Sequence, residues 1–204
     1  MKIKNIIIGA VVVLALLGAG GWGVSRYNSL VAVSEEVDNA WALVQNQYQR
    51  RLDLIPNLVE TVKGYAAHEN ETYTNVARAR AGLTEAYNNA VAESASAPMS
   101  EASLQEVASR QAELQRALSI YVNAVHEAYP QLKANEQFLD LQTQLEGTEN
   151  RIATERGRYT DVVRKYNVMV RRFPTNIFAG MMGFEKRPQF EADAAAQKAP
   201  KVQF

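Results

Sequence analysis

The sequence predicts an all-α protein: an N-terminal transmembrane helix followed by an elongated antiparallel four-helix bundle. Three observations carry that prediction. Residues 6–24 form an unbroken apolar run. From Tyr27 to Phe173 apolar residues recur at alternating spacings of three and four, the seam of packed helices; the alternation at period two that a strand needs does not occur. The 11 Gly and 6 Pro of the 204 residues cluster at the ends and in short breaks, sparse punctuation for a sheet with many turns.

Residues 1–5 are a short basic N-terminus holding Lys2 and Lys4. The run at 6–24, IIIGAVVVLALLGAGGWGV, carries no charge, and about 19 helical residues rise about 28 Å, close to the hydrocarbon thickness of a bilayer. A signal-peptide core has only about 7–15 apolar residues, so a retained anchor is favoured over a cleaved signal. Lys2 and Lys4 outweigh Arg26, the one cation in the following stretch. By the positive-inside bias the chain after the span lies outside the cytoplasmic face of a bacterial inner membrane. Ala15, Ala19 and Gly23 make a small-residue stripe by which anchors can approach one another. Gly18 to Gly23 matches the dinucleotide fingerprint literally, but that fingerprint works only between a strand and a helix of a βαβ unit.

Residues 27–173 predict the bundle. The first helix has Leu30, Val33, Val37, Ala40 and Val44 on its seam, with Trp41 and Tyr48 beside it. Residues 51–53 predict a tight turn, with Asp53 as N-cap and Pro56 in the first turn of the next helix; the alternative is one helix kinked at Pro56. The second helix, about 37 residues long by this reading, has Ile55, Leu58, Val62, Tyr65, Val76, Leu83 and Ala86 on its seam, with Glu69 intruding once. After a break containing Pro98 and ending in Ser100, the third shows Leu104, Val107, Leu114, Leu118, Tyr121 and Val125, interrupted by Gln111. After a second break, with Pro130 and a cap at Asn135, the fourth places Phe138, Leu145, Ile152, Tyr159, Tyr166 and Phe173 seven apart, joined by Leu141, Val162 and Met169. Connections this short make sequential helices antiparallel. Within residues 174–190 the run from Ile177 to Phe184 is apolar but broken by two glycines, which suits a segment folded over the bundle end or a lip that touches membrane or partner. Residues 191–204 read as a flexible tail. Gly147 and Gly157 lie in the fourth helix off its seam, where each costs about 1 kcal/mol relative to Ala; the close approach of another helix would account for them.

The chemistry this chain can carry is restricted. Lys+Arg 22 against Asp+Glu 22 gives no net charge, so nucleic acid is not an expected partner. The absence of cysteine removes disulfides, thiolate catalysis and thiolate metal sites. His68 and His126 are each followed by Glu, yet Thr72 stands where a second zinc-binding histidine would be. Tyr65 and Asn123 occupy the glutamate positions of a di-iron bundle. His126 adjoins the seam and reads as a boundary packing residue. The pairs Arg50-Arg51 and Arg171-Arg172 read as exposed cations at helix ends, and the sequon at Asn70 signifies only in a eukaryotic secretory pathway. No catalytic, cofactor-binding or metal-binding residue and no cofactor is expected.

Several local stretches stand out: Tyr27-Asn28-Ser29-Leu30, Ala40-Trp41, and the run from Gln49 through Val59 that continues as Val62-Lys63-Gly64-Tyr65-Ala66-Ala67-His68-Glu69. Further on come the stretch from Tyr129 to Asn135, Thr148-Glu149-Asn150-Arg151-Ile152-Ala153, Tyr166-Asn167 and Phe173-Pro174. In this order they resemble the LemA family of bacterial membrane proteins. The resemblance implies a membrane helix followed by an antiparallel bundle and brings no catalytic residues with it. Some relatives carry a lipoprotein cysteine just before the Tyr-Asn motif; this chain has Arg26 there. A magnetosome-associated branch implies work on membrane organisation. The expected function is therefore a non-enzymatic, homo-oligomeric scaffold anchored in the lipid bilayer through residues 6–24. An adaptor that holds an envelope protein partner is the alternative.

Overall fold

A computed structural model describes residues 2–66, 74–91 and 100–190, and every regular element among them is helical. α1 spans Lys2–Ala66, α2 Thr74–Val91, α3 Glu101–Ala128, α4 Glu136–Arg171 and α5 Thr175–Met181, with a 3-10 turn at Pro130–Ala134 between α3 and α4. α1 is 65 residues long, about 97 Å at the helical rise. Its N-terminal part is long and apolar enough to cross a membrane.

The turn expected at residues 51–53 does not exist. α1 passes through it and through Pro56 without interruption, so the alternative of one continuous helix holds. Asp53 is no N-cap; its carboxylate accepts from Gln49 Nε2 at 2.8 Å, an i,i+4 pair inside the helix. A proline here leaves the carbonyl of Leu52 without its usual donor, at about 3 kcal/mol. Tertiary burial opposes that cost: Leu52, Leu54, Ile55 and Leu58 are all buried around the exposed Pro56, and each such side chain contributes about 1.5–3 kcal/mol. The second helix of the bundle is accordingly the 18-residue α2, and the stripe Ile55 to Tyr65 belongs to α1. Glu69, His68 and the sequon lie outside the described residues.

The other two starts are as expected. The Ser100 side chain accepts from Ser103 N at 3.1 Å, and Ser103 Oγ accepts from Ser100 N at 3.2 Å, a reciprocal capping box. Asn135 Oδ1 accepts from Phe138 N at 3.0 Å to open α4.

α1 and α4 run antiparallel, in a register marked by Lys165 Nζ on Glu36 at 2.9 Å and Arg51 on Glu149 at 2.8 Å. α2 and α3 form the second antiparallel pair, with Arg110 Nη1 donating to the Asn89 carbonyl at 3.1 Å. α3 lies alongside the distal part of α1 in the same direction, Gln111 beside Arg51 and the Tyr129 ring 5.9 Å from that of Tyr65. Two cores result. The distal one holds Leu58, Val62, Leu83, Leu114, Tyr121, Phe138 and Leu145; the membrane-proximal one holds Leu30, Val37, Trp41, Val44, Tyr159 and Tyr166.

In α4 the buried partners of the seven-residue stripe shift from the expected Val162 and Met169 to Val163 and Val170. A nearly straight helix drifts about 20° per heptad, which brings the next position inward. Phe173, expected on the seam, is 75 % exposed, because α4 ends at Arg171 and the chain has left the helical path. Below the reach of α3, residues 184–190 replace a helix. They run from Phe184, 5.9 Å from the Tyr27 ring, to Phe190, 6.2 Å from Trp41. Fourteen helical residues rise about 21 Å and six extended ones span about 20 Å, so this strap climbs parallel to α1. Asn167 holds it from α4, donating to the Arg187 carbonyl at 2.8 Å and accepting from Arg187 N at 2.9 Å.

Candidate functional site

The two cores are separated by a polar layer centred on Arg51. The sequence places Arg51 at an exposed helix end, but its residue exposure is 1 %. Nη1 donates to Glu149 Oε2 at 2.8 Å and to Gln115 Oε1 at 3.2 Å. Nη2 donates to both Gln111 oxygens, the backbone one at 3.3 Å. The guanidinium also lies 5.8 Å from the centre of the Tyr48 ring. Burial pushes the Arg51 pKa down from its ordinary value, against the pull of the Glu149 carboxylate. Arginine's high intrinsic pKa keeps the charge in place all the same.

This layer is legible once α1 is read as one helix. Leu30, Val37, Val44, Arg51 and Leu58 stand seven apart, as do Leu104, Gln111, Leu118 and Val125 on α3. The polar members of the two stripes meet at one level. Because the turn at 51–53 was expected, that periodicity was cut where it mattered. Glu149 was visible as a polar residue of α4, but nothing local marks it as Arg51's partner.

Next to the layer Trp41 Nε1 and Tyr48 Oη are buried without a protein hydrogen-bond partner. Both residues line a cavity of about 20 Å3, room for roughly one water molecule. Burial raises the Tyr48 pKa, with Arg156 and Arg51 pulling the other way. Towards the membrane, Trp41, Tyr159 and Phe190 form a ring cluster capped by the Arg156 guanidinium 4.2 Å from the Phe190 centroid. Tyr159 Oη donates to the Pro188 carbonyl at 3.2 Å, and burial pushes its pKa to about 12.

An open groove of about 540 Å3 lies between α3 and α4, lined by Leu118, Val122 and Leu145 among amides and the carboxylates of Glu146 and Glu149. Glu149, its side chain 41 % exposed, joins the groove to the buried arginine. His126 packs edge-on at 5.5 Å from Phe138, and burial with nearby Lys133 lowers its pKa. Among the described residues no three or more His, Cys, Asp and Glu side chains converge as a metal would require. The glycines at 18–23 lie within α1, outside any strand-to-helix turn. A Cβ built on Gly147 or Gly157 meets nothing within 4 Å, so packing within the chain does not require glycine there.

A model of the LemA family matches residues 40–204. Magnetosome proteins MamQ 1 and MamQ 2 of Paramagnetospirillum magneticum are each 27 % identical over 181 residues, covering 83 % of this chain but 66 % of their own length. Protein LemA of Metamycoplasma hominis is 25 % identical over 169 residues, covering 83 % of this chain and 70 % of its own. With its apolar N-terminal helix continuing into a helical bundle, this chain is a membrane-associated member of the LemA family.

Proposed function

We propose that the protein is a non-enzymatic scaffold that organises the cell envelope membrane as a homo-oligomer larger than a dimer. The observation that carries the reading is the continuity of α1, which joins the apolar span to both cores without a hinge. Copies held in one orientation on such rods meet flank to flank, which raises their effective concentration and favours ring or array contacts. Gly147 and Gly157 suit a flank approached by another helix, and Ala15, Ala19 and Gly23 suit close contact between anchors. The similarity to two proteins named for the magnetosome supports a role in membrane organisation. We place the bundle on the extracytoplasmic side of the inner membrane, on the balance of Lys2 and Lys4 against Arg26. The exposed Asn88, replaced by cysteine in this cysteine-free chain, should react with an impermeant maleimide in intact spheroplasts; labelling only after lysis reverses that topology.

Light scattering of the full-length protein in mild detergent tests the oligomer. A multimer that Gly147→Leu or Gly157→Leu dissociates is the expected result, and a monodisperse monomer ends the scaffold reading. The second reading, an adaptor for an envelope protein, is favoured by the α3/α4 groove, whose apolar floor and acidic rim suit an amphipathic segment. A monomer that retains a stoichiometric foreign protein, released by charge reversal at the exposed rim position Glu146→Lys, would support it.

A further inference from the structure

The end of the bundle nearest the apolar span presents apolar and basic groups that the fold itself does not use. Phe173, Ile177 and Met181 are 75 %, 53 % and 82 % exposed, and Met182 is also exposed. They surround α5, whose position is set by Phe178 packing edge-on against Trp22 at 5.6 Å. Trp22 belongs to the last turn of the 6–24 span, so α5 sits at the height where the apolar run ends. Tryptophan at such a level marks the membrane–water interface, and the Arg26 guanidinium 5.5 Å from its ring is placed for the head-group region above.

The register of α1 and α4 gives a second height. Lys165 lies level with Glu36, so in the antiparallel pair Arg171 lies level with residue 30. That is six residues, about 9 Å, beyond Val24, close to the outer edge of a head-group layer about 5–8 Å thick. Here Arg164, Arg171, Arg172 and Lys186 line an open groove of about 460 Å3. Asp161 holds Arg164 at 2.8 Å, and the other three side chains are exposed. Residues 171–187 contain four cations against the single acid Glu185, within a chain of zero net charge.

We propose that α5 and this basic groove form a second membrane contact, in which Phe173, Ile177, Met181 and Met182 enter the bilayer interface and Arg171, Arg172 and Lys186 receive anionic phospholipid head groups. The occupant is assigned as lipid because the patch is continuous with the span through the Phe178–Trp22 contact and lies at the height of a bilayer surface. Apolar side chains on α5 beside a groove lined by cations match that surface in sign. Methionine and phenylalanine at the edge of a short helix suit insertion among acyl chains.

The inference rests on residues 6–24 spanning the membrane, and the test separates the two. The full-length, naturally cysteine-free chain is labelled with an environment-sensitive fluorophore at Leu16→Cys, Met181→Cys or Asn88→Cys. Each form is reconstituted into vesicles of phosphatidylcholine alone or mixed equally with phosphatidylglycerol, with brominated lipid as quencher. The expected result is a quenched Leu16 label in both, an unquenched Asn88 label, and a blue-shifted, quenched Met181 label whose quenching increases with phosphatidylglycerol. Replacing Arg171, Arg172 and Lys186 together by Gln, with helicity checked by circular dichroism, should abolish that increase. A Met181 label left in water while Leu16 is quenched overturns the proposal. One quenched equally in both vesicle types overturns the assignment of the groove. Disulfides formed between copies of the unlabelled Met181→Cys variant under mild oxidant, with no lipid quenching of the labelled one, give the face to a second copy and also overturn it. An unquenched Leu16 label instead sinks the span itself.

Discussion

Arg51 invites a test in which both truncation and replacement are informative. Arg51→Ala removes the buried charge itself but opens a cavity and strands the buried Gln111 amide, and is expected to cost about 2–4 kcal/mol. Glu149→Gln leaves the 1 %-exposed guanidinium without its counter-charge, and the partial exposure of that carboxylate brings the expected cost to about 1–3 kcal/mol. Replacing Arg51 and Gln111 together by Met should be near neutral or stabilising, because apolar residues of similar volume often outperform a buried polar cluster. Denaturant unfolding of the full chain in detergent checks the series; a loss in the double variant as large as in Arg51→Ala would show that the layer is a net source of stability. A second residue-scale expectation concerns alkaline pH. Tyr121 is 1 % exposed, and burial pushes its pKa from 10 to about 12. The folded state then holds a proton that the unfolded state releases, so this stability is intact below pH 10 and is lost as pH rises from 10 to about 12. Tyr121→Phe should flatten that fall in melts recorded across the window, and an unchanged slope would assign it elsewhere. Most seam residues were legible because period marks them; Val162, Met169 and Phe173 were not, because the helix drifts against a strict heptad and ends at Arg171. The partners of Arg51 were not, because they come from helices 60 and 98 positions away.

Among the elements, α3 and α4 were readable to the residue at their starts, since Ser100 and Asn135 act through local hydrogen bonds. α1 was not, and Pro56 shows why. A proline next to an Asp is a local signal for a new helix, but Leu52, Ile55 and Leu58 are buried on both sides of it in one core. Tertiary packing overrode the local preference. Pro56→Ala restores the donor to the Leu52 carbonyl at an exposed position and is expected to stabilise the protein by about 1–3 kcal/mol. A raised melting temperature is the readout, and a lowered one would mean that the distal core is built around the proline's bend. The strap at 184–190 escaped sequence reading for a different reason. It has no period of its own and gets its structure from Asn167 and Tyr159 on α4. Within 174–190, residues 184–190 run along the bundle and α5 leaves an apolar edge exposed beside Trp22.

Taken whole, the molecule is a rod with its weight of contacts on one side of a single spine. The antiparallel pair of α1 and α4 runs the full height of both cores, α2 and α3 thicken the distal half, and α5 with the strap thickens the half nearest the span. That asymmetry gives α1 continuous burial from Leu30 to Val62 in a long shape. It also means that the bundle cannot swivel on its anchor as a domain on a glycine linker would. From Val24 to the end of α1 is about 63 Å of helix. When a bilayer thins, a span of fixed length accommodates by tilting. A tilt of about 10° in the span therefore carries the distal tip sideways by about 11 Å. The unbroken spine makes the protein a lever: a small change in bilayer thickness at one end becomes a displacement of molecular size at the other.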